Sequence, residues 1–294
     1  MEDLFDMVPQ LVVSGIAAGA LYALVAIGLV LIYKATDIVN FAQGESVTVG
    51  AYMGWLFITE LHLPYLLALP AVMAGSALVG VVVERVAYRP LLKSPPFTVI
   101  LATLAIGLII KNGIRLVWQS TPRTIEGVFS AEPLEIGPVL LTPERLAIMV
   151  TVAVVVVLLA LFFRFSRLGR AMRATAQSQE AAALMGISVP GIFARTWALG
   201  TALGGLAGML IAPLVGINTE LGDVLVPGFV AAVVGGFTSI PGAIVGGVMV
   251  GVLENLAGVY ISSSVKQVVP FVVLLTVLMV LPSGLFGAKR RKMV

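Results

Sequence analysis

Residues Arg164–Gly191 read RFSRLGRAMRATAQSQEAAALMGISVPG and stand between two apolar stretches, 146–165 and 193–215. This island mixes charge with helix formers as no other long segment does, and the contrast with its flanks decides the fold. Apolar runs of about 20 residues are long enough to cross a bilayer, and they recur along the chain at 8–33, 40–60, 65–88, 96–118, 146–165 and 193–215. Residues 226–257 supply one tilted span or two short ones, and Val265–Leu285 supplies the last. The expected fold is therefore all-α, a polytopic bundle of about eight or nine membrane segments, forming a single transmembrane domain over residues 1–294.

Composition agrees, with 59% hydrophobic and 11% charged residues, against about 25% charged in soluble domains. The mean hydropathy is +1.08. Cysteine is absent and His62 is the only histidine, so thiolate and multi-histidine metal sites are excluded. No cofactor is expected in this chain, and a nucleic-acid partner has no support. The acidic start MEDLFDMVPQ lacks the positive charge of a signal peptide, and the first apolar run reads as a retained span.

Basic residues orient membrane proteins by collecting on the cytoplasmic side. With the N-terminus outside, Lys34, Arg85, Arg89, Lys93, Arg164, Arg167, Arg170, Arg173 and Arg195 all fall inside. The tail residues Lys289, Arg290, Arg291 and Lys292 join them only if 226–257 crosses twice or re-enters. A turn is expected at GGFTSIPGAIVGG, Gly235–Gly247, where Gly235, Gly236, Pro241 and Gly242 favour a broken helix pair.

A second interruption lies at TDIVNFAQGESVTVG, where Asn40, Gln43, Glu45 and Thr48 break the apolar pattern. Two readings fit these residues. They line a pathway, as broken helices do in transporters, or they cap a helix at the interface, which is where the cost of burying a charge puts Glu45. Glycines four apart, Gly15/Gly19, Gly200/Gly204/Gly208, Gly242/Gly246 and Gly247/Gly251, allow helices to approach closely. Glu84 and Arg85 read as a helix end reaching to headgroups. Lys111 and Arg115 read as an entrance or as anchors, and Glu254 and Asn255 as anchors. The outer loop Ser120–Arg145 carries Glu126, Glu132, Glu135 and Glu144 against Arg123 and Arg145. It is a hydrated loop or a contact for an outer partner.

No enzyme chemistry assembles. A phosphate-binding loop needs lysine after glycine, and none of the six lysines follows one. Energy must come from an ion gradient or from another subunit. Paired acids at mid-membrane are not evident, which favours an external motor. Within the island, Ser178 caps a short helix that stops at Gly186, with Pro190 beyond. That rigid element at 166–192 suits docking, while Arg164, Arg167, Arg170 and Arg173 suit attachment to membrane lipid.

Four ordered blocks carry a resemblance that covers essentially the whole chain. They are DIVNFAQGESVTVGAYMG (Asp37–Gly54), GRAMRATAQSQEAAALMGISV (Gly169–Val189), GGFTSIPGAIVGG (Gly235–Gly247) and LPSGLFG (Leu281–Gly287). Together they resemble the permease subunits of bacterial ABC importers for branched-chain amino acids, and this chain is similar to the first of the paired permeases. Glu180, Ala181, Ala182, Ala183, Leu184, Met185 and Gly186 fit the EAA-x-x-x-G core of importer coupling loops. The hydrophobic and proline continuation of that motif is not evident after Arg195. The resemblance implies a multi-pass protein of the bacterial inner membrane, with its C-terminus cytoplasmic. It implies a second homologous permease, two cytoplasmic ATPases and an extracytoplasmic substrate-binding protein, together importing leucine, isoleucine and valine. Related importers take urea, short amides or other amino acids. From residues alone, a stand-alone secondary transporter and a channel also remain open.

Overall fold

The computed structural model describes residues 7–92, 94–119, 121–125, 129, 132–137 and 139–287. Expectations that rest on the first six residues, Lys93, Ser120, Glu126 or the basic tail lie outside them.

The first helix, α1 (Val8–Thr36), is apolar all round, and a helix of that kind belongs inside a bundle or in lipid. Here it forms the centre, with nearly every side chain from Ala20 to Ile32 buried. Its 29 residues reach about 43 Å at 1.5 Å per residue. A break follows, then α2 (Gln43–Trp55), prolonged by a π turn at Leu56–Glu60. Next come α3 (Tyr65–Val83), which continues through a π turn and a 3₁₀ turn to Leu91, and α4 (Pro96–Trp118). A small antiparallel hairpin, β1 (Leu134–Ile136) and β2 (Val139–Leu141), leads into α5 (Pro143–Phe165). This hairpin is a minor addition to the all-α expectation.

The island forms α6 (Arg167–Gln177) and α7 (Gln179–Leu184). The second buried rod is α8 (Val189–Val215), followed by a 3₁₀ turn at Leu221–Val224 and by α9 (Leu225–Gly235) and α10 (Ile240–Tyr260). A single turn, α11 (Ser263–Lys266), and α12 (Val269–Val280) complete the order. Proline stands in the first turn of α1, α4, α5, α8, α10 and α12, where its missing N–H and fixed φ suit a helix start.

Six helices among the described residues are long and apolar enough to span: Val8–Thr36, Tyr65–Leu91, Pro96–Trp118, Pro143–Phe165, Val189–Val215 and Ile240–Tyr260. The outer ones bury only a stripe. On α5 that stripe is Ile148, Val152, Val155 and Leu159, while Val150, Val154, Val157 and Leu158 face outward as apolar surface for lipid. The two ends of α1 define two faces. Gln10 exchanges hydrogen bonds with Leu140 on the hairpin face, and Gln179 donates to the Ala35 carbonyl on the island face.

Segment 226–257 resolves into a half-helix and a full span. The 11 residues of α9 reach about 16 Å, half of a hydrocarbon core. The chain turns back at 236–239, with Gly236 at φ 98°, a region an L side chain rarely adopts. Phe237 packs on Tyr33 at the island end of α1. From there α10 runs antiparallel to α1, placing Gly247 against Gly19 and Gly251 against Gly15. The last helix is shorter than the apolar run suggested. After 12 residues the chain continues as Leu281–Gly287 and donates from Leu285 and Phe286 to the carbonyls of Val234 and Gly235. Gly287 thus reaches the same face as the island.

Glu84 departs from expectation. It is buried rather than reaching outward, and Arg89 grips both its carboxylate oxygens at 3.2 and 3.1 Å. The π turn at Glu84–Tyr88 rotates the pair into register. Glu254 is also buried and accepts the Tyr22 hydroxyl at 2.7 Å, which ties α10 to α1.

A Cβ at Gly247 would stand 2.7 Å from the Gly19 carbonyl oxygen, so Gly247→Val should cost about 1–3 kcal/mol as overpacking. Gly113→Ala, with nothing within 4 Å, should be tolerated. Thermal unfolding in detergent compares the two; equal midpoints would show that the α1–α10 contact does not limit stability.

Candidate functional site

The break between α1 and α2 is built from short-range backbone chemistry. Asp37 closes α1 in the left-handed region at φ 58°, its N–H donating to the Tyr33 carbonyl. The chain then turns back into the bundle. Ala42 N–H donates to Asn40 Oδ1 at 3.0 Å, and Phe41 N–H donates to Thr103 Oγ1 of α4 at 3.3 Å. Gln43, wholly buried, sends its Nε2 to the Gly200 carbonyl at 2.8 Å.

Gly200 lies near the middle of α8, so α2 starts deep within the bundle. Glu45, read either as lining a pathway or as an interfacial cap, stands two residues further on in the first turn of α2. Residues 37–42 are non-helical, and the side chains of Thr36, Thr103 and Asn40 meet the N–H groups of Ile38, Phe41 and Ala42.

The four polar residues then divide. Asn40, Gln43 and Thr48 are buried and hold the break in place, whereas Glu45 is half-buried beside Gly222 and Gly107. Its Oε2 finds no hydrogen-bond partner among the described residues. Near it runs a charged strip that single residues did not reveal. Lys111 Nζ and Arg115 Nη2 meet the two carboxylate oxygens of Glu220 at 2.6 and 2.7 Å, and Arg115 Nε donates to Thr219 Oγ1 at 3.3 Å. The donated Lys111 hydrogen bond, with both positive charges, holds the Glu220 carboxyl below its usual range. Asp223 is exposed in the adjoining 3₁₀ turn. Lys111 and Arg115 were legible as a pair one turn apart. Glu220, Thr219 and Asp223 were not singled out, since nothing local in TELGD signals a partner on α4.

Gly235, Gly236, Pro241 and Gly242 form a separate place. They make the island-face turn between α9 and α10, where Ser239 Oγ accepts from Gly242 N–H at 3.0 Å and Pro241 opens α10. The structure does not bring them together with Glu45; α9 lies between.

The island presents a third arrangement. Ser166 caps α6 and Ser178 caps α7, its Oγ accepting from Ala181 N–H at 3.1 Å. Gly186, at φ 79°, ends the second helix. On α7, Ala182 is buried while Glu180, Ala181 and Ala183 are exposed, and Leu184 and Met185 are each 83% exposed. A short capped helix thus holds apolar side chains in the open, next to a shallow cleft lined by Ala174, Gln177, Ala181 and Ile187. Arg164, Arg167, Arg170 and Arg173 are all exposed.

Buried rods, a re-entrant start to α2, a half-helix and a capped pair of surface helices define a polytopic membrane permease. The chain belongs to the family described as branched-chain amino acid transport system / permease component, whose model matches residues 11–278. It is 32% identical to the high-affinity branched-chain amino acid transport system permease protein LivH of Escherichia coli, over 98% of each chain. It is 34% identical to the corresponding permease protein BraD of Pseudomonas aeruginosa, again over 98% of each. A probable LivH permease of Methanocaldococcus jannaschii is 29% identical, covering 98% of this chain and 96% of the relative. Among solved structures, a chain of PsaBC from Streptococcus pneumoniae in complex with Fab shares the fold. Its TM-score is 0.52 at 14% identity, with 97% of this chain and 98% of that one covered.

Removing the α7 cap with Ser178→Ala should cost about 1 kcal/mol. Amide exchange over 181–184 should quicken about fivefold while exchange in α8 stays unchanged; no local change would show that the hydroxyl does not hold the helix.

Proposed function

We propose that this chain is the non-catalytic transmembrane subunit of an ATP-driven importer in the bacterial inner membrane. It moves leucine, isoleucine and valine inward, together with a second homologous permease, two cytoplasmic ATPases and an extracytoplasmic binding protein. The observation that carries the proposal is α7, a capped helix with Leu184 and Met185 exposed. Exposed apolar side chains on a rigid element mark a protein-docking surface. Glu180 to Gly186 seat in an ATPase groove. Gln179, at the base of the same helix, donates to the carbonyl of Ala35 on the central rod, so movement of α7 is passed directly into α1. The exposed arginines of the island support a cytoplasmic position for that face, with the N-terminus outside.

Charged groups at membrane depth face protein or water, not lipid. Glu45, Lys111, Glu220 and Asp223 therefore mark the side of the bundle that the second permease covers, and solute passes along that strip. Asn40, Gln43 and Thr48 fix its geometry from behind. On the hairpin face, Arg123 stacks over Trp55 and Arg145 donates to Ser14, while Glu132 and Glu135 stay exposed for the binding protein. The names of the LivH and BraD relatives support branched-chain amino acids as the solute.

Proteoliposomes holding this chain with its ATPases, second permease and binding protein test the reading. Replacing Glu180–Gly186 by a Gly-Ser segment should abolish leucine uptake and substrate-stimulated ATP hydrolysis; retained coupling refutes the role of α7. Leucine flux through this chain alone would favour a channel or secondary transporter instead. Glu220→Gln should lower uptake about tenfold, roughly 1.4 kcal/mol, with the complex still assembled. Unchanged uptake would remove the strip from the pathway.

A further inference from the structure

On the island face a cleft of about 120 Å³ opens between the ends of α1 and α5, the inner side of α6 and the first turns of α8 and α10. Its floor is apolar, formed by Leu31, Phe163, Met172 and Ile240, and its rim carries Lys34 and Arg173. The two cations are near enough for their charges to repel. Among the described residues neither is in a salt bridge, and the exposed Asp37, one turn beyond Lys34, pairs with neither. Like charges held side by side without an acid call for an anion from outside the chain.

The floor decides what kind of anion. A small soluble ion leaves apolar surface uncovered, whereas a molecule with a negative head and a hydrocarbon tail satisfies rim and floor together. The position fits as well. α6 turns Arg167, Arg170 and Arg173 outward and Met172 inward, the pattern of a helix lying in the plane of the headgroups. We propose that this cleft is a discrete site for one anionic phospholipid, its phosphate held by Lys34 and Arg173 and the upper part of an acyl chain resting on Leu31, Phe163, Met172 and Ile240. A zwitterionic lipid brings a further cation to a rim that already has two, so the site discriminates by headgroup charge. The site is separate from general attraction of the island to the membrane, because it needs a shaped apolar floor as well as basic residues.

The test uses the full-length chain purified from mixed phosphatidylglycerol and phosphatidylcholine, with bound lipid counted by mass spectrometry after stepwise delipidation. The wild-type chain should retain one phosphatidylglycerol after bulk lipid is gone, and no phosphatidylcholine. Lys34→Gln with Arg173→Gln should cut that retention about thirtyfold, the scale of two basic contacts to an anionic surface. Arg167→Gln with Arg170→Gln should leave it unchanged. Ala176→Phe, which fills the cleft but keeps both cations, should also release the lipid. Retention that survives the rim variant, or falls equally with Arg167→Gln and Arg170→Gln, overturns the proposal. Release by millimolar inorganic phosphate overturns the choice of a lipid, since the cations alone would then suffice.

Discussion

Between α1 and α2 the chain leaves the helix and re-enters the bundle, and the backbone groups it buries there must be met by protein. The rest of the bundle is arranged around that requirement. Asn40 and Thr103 meet the N–H groups of the re-entering strand, and Gln43 meets the Gly200 carbonyl of the neighbouring rod. Gln43 can reach only because Gly28 and Gly204 leave room for its side chain. Once the break is fixed, a carboxylate at the start of α2 sits on a helix N-terminus, where the backbone dipole favours negative charge. Glu45 is thereby favoured in its half-buried position.

A second consequence concerns rigidity. α1 touches both membrane faces through side-chain hydrogen bonds, with Gln10 at one end and Ala35 at the other. Along its length it is locked to α10 by glycine contacts and by the Tyr22–Glu254 bond. Packed interiors shift between discrete arrangements and do not deform continuously. A displacement delivered at the island end therefore moves α1 and α10 as one body, while the thinly buried α4, α5 and α12 follow through lipid-facing surfaces.

What could be read from residues alone divides by the range of the interaction. The Ser178 cap and the stop at Gly186 depend on neighbours within a few positions, and the sequence spells them out. The spaced glycines showed that helices approach closely, and α1 with α10 is where two such sets meet. The anchoring of Phe41 and Gln43 was not legible, because it depends on Thr103 and Gly200, which no local pattern connects to them. The partner of Lys111 lies 109 positions away, and the burial of Glu84 depends on a π turn that hydropathy does not register. The hairpin at 134–141 escaped for a related reason, since three-residue strands carry too little alternation to signal themselves.

The terminal segment LPSGLFG has its own implication. Leu285 and Phe286 supply the hydrogen bonds that the last carbonyls of α9 lack. Without those residues the end of the half-helix keeps open acceptors. The half-helix is thus completed by a segment some fifty residues further along the chain, and the two ends of that stretch are tied to one another.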